Sequence, residues 1–127
     1  MSSVDLSTQK VIATTSFGRW QPLNKPLGVT AFGISAMVCD PDEPFSIEHD
    51  ESETGQEEVY IVVAGKAHFV IGDEEFDAGP GEVVAVADPA VTRDFRALEP
   101  NTRIVCVGAK PTAENTGFGD WIGEEEA

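Results

Sequence analysis

The clearest periodic signal in the chain is an alternation of period two over residues 58–63. Val59, Ile61 and Val63 fall on one side, and Glu58, Tyr60 and Val62 on the other. Both sides are largely apolar, so neither can simply face water. One face is predicted to meet the core; the other must be covered by the N-terminal stretch carrying Phe17, Trp20 and Leu27, or by a second chain. Further strand-like runs lie at 29–39, 45–50, 66–71, 82–87, 91–97 and 103–108. Turn chemistry separates them: Gly65, Gly72-Asp73 before a short strand at Glu75-Phe76, the corner Ala78-Gly79-Pro80-Gly81, and Glu99-Pro100-Asn101-Thr102. No amphipathic helical stripe competes with this pattern. The expectation is an all-β fold, an antiparallel barrel or sandwich.

No internal repeat, low-complexity linker or shift in composition divides the chain. Its 127 residues are read as one domain: a barrel over about 25–110, an N-terminal covering segment over 1–24, and a tail over 111–127 that ends in the solvated run Glu124-Glu125-Glu126.

Charge narrows the function. Eight Lys and Arg against 23 Asp and Glu leave a formal charge of −15. Such a surface repels phosphate backbones and anionic lipid, which argues against nucleic-acid and membrane partners, and it favours solubility in salt. The start Met1-Ser2-Ser3-Val4-Asp5 has neither a basic region nor an apolar core, and no apolar run approaches the ~20 residues of a membrane span. A cytoplasmic protein is therefore expected. Cys39 and Cys106 sit inside apolar runs without metal-ligand or redox spacing, so they are read as small buried hydrophobes.

Candidate chemistry centres on Glu58, because a carboxylate on an apolar strand face costs several kcal/mol unless it finds a partner. Glu58-Val59-Tyr60-Ile61-Val62-Val63-Ala64-Gly65 matches the second half, E-x6-G, of a motif whose full form is G-x5-H-x-H-x4-E-x6-G. Gly81 opens a second motif, G-x5-P-x-G-x2-H-x3-N, after fifteen intervening residues. On these residues the chain resembles the cupins over roughly 25–110. The resemblance implies a cupin-type antiparallel β-barrel, the double-stranded β-helix or jelly roll.

Departures from the motifs are as informative. The first motif's histidine positions fall on Glu51 and Glu53; the second motif's histidine falls on Thr92 and its asparagine on Arg96. A three-histidine centre cannot be assembled on that register. A second register is open, because Glu48-His49-Asp50-Glu51 looks like the E-H-D-E stretch of a subset of small bacterial single-domain cupins. On a strand, His49 and Glu51 would share a face, and with Glu58 they would form a ligand set for zinc, manganese or ferrous iron. The alternative for His49 is a strand-edge histidine bonded to Asp50 or Glu51.

The resemblance thus implies a pocket for a small molecule of unidentified structure, lined by His49, Glu51, Glu58, Tyr60, Thr92 and Arg96, with one divalent metal at His49, Glu51 and Glu58. Arg96 is assigned either to Glu58, to a carboxylate ligand, or to a surface salt bridge; His68 is expected outside the pocket, and Glu53 and Glu57 in solvent. Three functions stay open: a binding protein in which metal is optional, a metal-dependent isomerase, lyase or dioxygenase, and a sensory or accessory module. A homodimer is expected from the apolar face of Val59, Ile61 and Val63.

Overall fold

The computed structural model describes residues 2–8, 13–15, 18–43 and 49–112. Strand β1 (Ala13–Thr15) pairs with β2 (Gly18–Pro22); a one-turn helix α1 (Asn24–Leu27) then leads into β3 (Gly33–Cys39). After the arm that contains His49 come β4 (Glu57–Ala64), β5 (Ala67–Ile71), β6 (Glu74–Ala78), β7 (Val83–Val86), β8 (Arg93–Ala97) and β9 (Thr102–Ala109). All pairings are antiparallel. They form a six-stranded sheet of order β1-β2-β3-β9-β4-β7 and a three-stranded sheet of order β6-β5-β8. The all-β expectation holds.

The alternation at 58–63 is what sets the two faces. Glu58, Tyr60 and Val62 are buried, while Val59 and Ile61 are half-buried and Val63 is exposed. Inside, Tyr60 of the large sheet meets Phe69 and Phe95 of the small sheet at ring-centroid distances of 5.9 and 5.1 Å. Val62, Ile104 and Cys39 complete the fully buried layer. Gly65 makes the β4–β5 turn with φ +74°, and a Cβ there would overlap Thr102. That threonine hydroxyl accepts from the Lys66 N–H at 3.2 Å and donates to the carbonyl of Glu99 at 2.8 Å, so the two turns lock each other.

Two strands start later than the pattern predicts. The run expected at 29–39 begins only at Gly33, because Asn24 holds the preceding loop: its amide donates to the carbonyls of Val29 and Phe32, and its oxygen accepts from the Ile34 N–H. The run expected at 91–97 begins at Arg93, because Val91 N–H turns back to the carbonyl of Asp88. The strand expected at 45–50 falls mostly on 44–48, outside the described residues; His49 makes an isolated bridge to Arg93.

Part of the outer face of the large sheet is covered in cis. Arg103, on that face, donates to the carbonyl of Leu6, so the N-terminal turn at Leu6–Thr8 lies against the sheet. Trp20 packs against the core from the inner side, and Phe17 lies outside the described residues. At the opposite edge Val83 is 61% exposed and Val63 39%. Among the described residues no helix is long and apolar enough to cross a membrane.

On the outer side of the small sheet, His68 ties β5 to β6. Its Nδ1 lies 2.8 Å from Asp77 and its Nε2 3.0 Å from Glu75, so the doubly protonated ring satisfies both carboxylates. The Asp77 bond, then the Glu75 bond, raises the His68 pKa, with Arg96 of β8 opposing. A raised histidine pKa contributes stability that is present below the unfolded value of about 6.5 and is lost as pH rises through the folded value. His68→Gln should therefore melt below the wild type at about pH 5.5 and match it at about pH 9. Equal deficits in thermal melts at both pH values would rule out the charged clamp.

Candidate functional site

Strand β4 carries Glu58 inward at one end of the core, and β8 presents Arg93 to it. The pairing follows from alternation: Arg93, Phe95 and Ala97 share the buried side of β8. Arg93 Nη1 donates to Glu58 Oε1 at 2.8 Å, with side-chain exposures of 0% for Arg93 and 11% for Glu58. The remaining guanidinium donors are taken by backbone. Nη2 and Nε reach the Val91 carbonyl at 2.8 and 3.2 Å, and Nη2 also lies 3.3 Å from the carbonyl of Asp88 and 3.4 Å from that of Pro89. The 88–91 turn therefore wraps the guanidinium, which is why a fully buried arginine can be tolerated.

Glu58 is also bonded by Tyr60, whose hydroxyl donates to Oε1 at 2.8 Å, and by the Cys106 thiol, 3.4 Å from Oε2. Burial, reinforced by Glu58, drives both the Tyr60 hydroxyl and the Cys106 thiol well above their ordinary pKa ranges, so both stay protonated donors. Cys39, pushed up to about 11 mainly by burial, is likewise a protonated thiol. Cys39 is buried as its apolar context predicts, whereas Cys106 is half-buried and bonded to Glu58 rather than acting as a buried hydrophobe.

The second half of the site comes from the arm before β4. His49 exchanges backbone hydrogen bonds with Arg93 at 3.1 and 2.8 Å, and Glu51 N–H donates to the Pro89 carbonyl at 2.8 Å. These bonds dock the arm on the same turn that holds the arginine. His49 Nε2 lies 3.4 Å from Glu51 Oε1, and one donor atom from each of His49, Glu51 and Glu58 falls within 4.8 Å of the others. Thr54 Oγ1 donates to Glu51 Oε2 at 2.8 Å and holds that carboxylate in place.

A metal of the kind the resemblance implies fits this donor set. His49, Glu51 and Glu58 would hold it, since their donor atoms fall within 4.8 Å of one another; without an ion, His49 and Glu51 lie at ion-pair distance, 3.4 Å. Glu58 Oε1 is filled by Arg93 and Tyr60, but Oε2 accepts only the thiol and retains a lone pair. One imidazole with two carboxylates suits zinc, manganese or ferrous iron.

The other expected pocket residues are placed differently. Tyr60 is 2% exposed, with its ring in the core, and reaches the site only through its hydroxyl. Thr92 and Arg96 do not line the pocket: both are exposed. Strand β8 turns Arg93, Phe95 and Ala97 inward, so the inward place falls to Arg93 and not to Thr92, the position given by the motif register. Arg96 pairs across the sheet with His68, on the outer side. Glu53 and Glu57 are exposed and His68 lies away from the pocket, as expected. Arg93 is the residue that sequence reasoning missed; its parity with the apolar Phe95 and Ala97 was the available signal.

No protein-family model matches the chain, and no curated protein matches its sequence. Solved structures do match. The structure of KdgF from Halomonas sp. superposes with a TM-score of 0.67 at 12% identity, covering 87% of this chain and 94% of that one. A cupin protein from Bacteroides fragilis gives a TM-score of 0.61 at 20% identity over 74% of this chain and 78% of that one. The chain has the cupin fold. A cupin-superfamily sugar phosphate isomerase from Silicibacter pomeroyi also matches, at a TM-score of 0.65 and 16% identity over 86% of this chain and 76% of that one.

Within this cupin fold, the Arg93–Glu58 pair has a measurable signature. Removing one member leaves the other buried and uncompensated, which costs about 3–5 kcal/mol, whereas replacing both with apolar groups is close to neutral. Urea unfolding should show Arg93→Met destabilised by about that amount, and Arg93→Met combined with Glu58→Leu returned to within about 1–2 kcal/mol of the wild type. A double variant as unstable as the single one would show that the pair's charges are not coupled.

Proposed function

We propose that this chain is a small-molecule-binding cupin that holds one divalent cation at His49, Glu51 and Glu58. The observation that carries the reading is the convergence of three metal-ligating side chains from two chain segments within 4.8 Å. His49 and Glu51 arrive on an arm pinned by backbone hydrogen bonds, and Glu58 on a core strand pinned by Arg93. A bound ion would supply Lewis acidity and a ligand-binding position at the mouth. The chain's own residues orient the donors: Thr54 holds Glu51, and Tyr60, Cys106 and Arg93 hold Glu58.

Thermal melts with added zinc or manganese test the reading, because a ligand specific to the native state stabilises it by mass action. The ion should raise the melting temperature. His49→Ala and Glu51→Gln should each remove most of the rise, and His68→Ala should leave it intact. The rise should shrink in acid, since protons compete with metal for the imidazole and the carboxylates. No shift with any divalent ion at neutral pH would leave a metal-free binding pocket.

The reading extends to assembly. We propose a homodimer through the outer face of the large sheet, where Val63 and Val83 stay exposed beside the half-buried Val59 and Ile61. A contiguous apolar patch on a chain of charge −15 offers self-association a surface free of charge repulsion. Light scattering should return twice the 13.6 kDa chain mass at tens of micromolar, and Val83→Lys should return the monomer. A wild-type monomer under those conditions would overturn the dimer.

A further inference from the structure

Beside the ligand triad, and sharing Glu58 with it, lies a cleft of about 270 Å³. It opens on the inner face of β2, β3, β4 and β9. Trp20 and Pro22 form one wall, and Ser35, Gln56, Glu58 and Cys106 contribute to the lining. Among the described residues, the Trp20 indole N–H, the Ser35 hydroxyl and the Gln56 side-chain amide make no protein hydrogen bond, so each is available to a ligand. Asn24 also borders the cleft, but its amide is committed to the loop before β3. Gly108 leaves the cleft open: a Cβ there would come within 2.9 Å of Gln56 Oε1 and 3.4 Å of Glu58 Cγ.

The chemistry of this lining selects a ligand class. No Lys, Arg or His appears among the described residues that border the cleft. With no ion at the triad, a phosphate or carboxylate placed there would be desolvated beside Glu58 without a cation from the described lining, and the overall −15 charge would repel it. A cationic ligand gains little either, because one oxygen of Glu58 is paired with Arg93 at 2.8 Å and the other is assigned to the triad's ion. What remains is an uncharged molecule with one apolar face for Trp20 and an edge of hydroxyls for Ser35, Gln56 and the indole N–H. The volume lies just under the ~300 Å³ at which pockets for drug-sized ligands begin, which suits one ring.

We propose that this cleft binds a neutral, polyhydroxylated ring, a monosaccharide or cyclic polyol, stacked on Trp20 and read by Ser35 and Gln56. The inference rests on the pocket reading above and narrows it to a ligand class. The proposed ligand is a neutral sugar or polyol, not a sugar phosphate of the kind in the name of the Silicibacter pomeroyi isomerase.

The test uses full-length protein carrying Trp121→Phe, so that Trp20 is the sole indole of the two in the chain. The probes are neutral hexoses, pentoses and inositol, each beside its phosphate ester and, where one exists, its uronic acid, with the protein either zinc-loaded or chelator-treated. At least one neutral probe should change Trp20 emission saturably and bind at least about tenfold more tightly than its charged counterparts. By calorimetry, Trp20→Leu and Gly108→Val should each abolish that binding. Trp20→Leu, which leaves the triad untouched, should keep the zinc-induced rise in melting temperature, which shows that it folds and separates this inference from the metal reading. The proposal is overturned if no neutral probe binds, if a charged counterpart binds equally well in either metal state, or if Trp20→Leu binds unchanged. Anion binding that needs Trp20 would preserve the small-molecule pocket while discarding the neutral class.

Discussion

A carboxylate on the inner face of a small β-domain must be compensated, and in this chain the compensating charge is an arginine. Arg93 is fully buried, faces Glu58 at 2.8 Å, and fills its remaining donors with carbonyls of the 88–91 turn. That arrangement costs desolvation at both ions, and it persists because each guanidinium nitrogen finds an acceptor. Much of the site is built on it. The turn that wraps the guanidinium also receives the Glu51 amide, and the backbone of Arg93 receives His49. One buried cation therefore positions two strands, a turn and the arm that completes the ligand set.

The same pair shapes the electrostatics on its two sides. Toward the triad, Arg93 and Tyr60 saturate one oxygen of Glu58, and the other, which meets the Cys106 thiol, is the one open to the proposed ion. Toward the cleft, it removes the attraction that a lone carboxylate would exert on cations. Cys106 stands between these roles: burial and its contact with Glu58 keep its thiol protonated, so it donates to the carboxylate. A polar cluster satisfied in this way is rigid, and rigidity is what holds donors at the spacing a metal requires.

Most strands were legible because their signal is local. Alternation at 58–63 and the glycines at 65, 72 and 81 mark strand and turn without knowledge of the partner. The late starts of β3 and β8 were not legible. Asn24 reaches across the loop to Val29, Phe32 and Ile34, and the 88–91 turn closes around Arg93; both are contacts made only after folding. The motif register put Thr92 inward, one residue from the Arg93 that β8 buries, and a shift of one residue exchanges the two faces of a strand.

What the sequence determined by itself is the all-β class, the inward placement of Glu58, and the residue types that a metal site would need at His49, Glu51 and Glu58. These follow from side-chain period and from the cost of an uncompensated carboxylate, both properties of the local chain. Tertiary structure alone decided which cation meets Glu58, which side chains leave the site, and that Trp20 and Gly108 border one cleft with it. Trp20 and Gly108 are 88 positions apart, and they become neighbours of Glu58 only because β3 and β9 lie between β2 and β4 in the sheet. Strand order is a property of the whole packed core, and no local pattern encodes it.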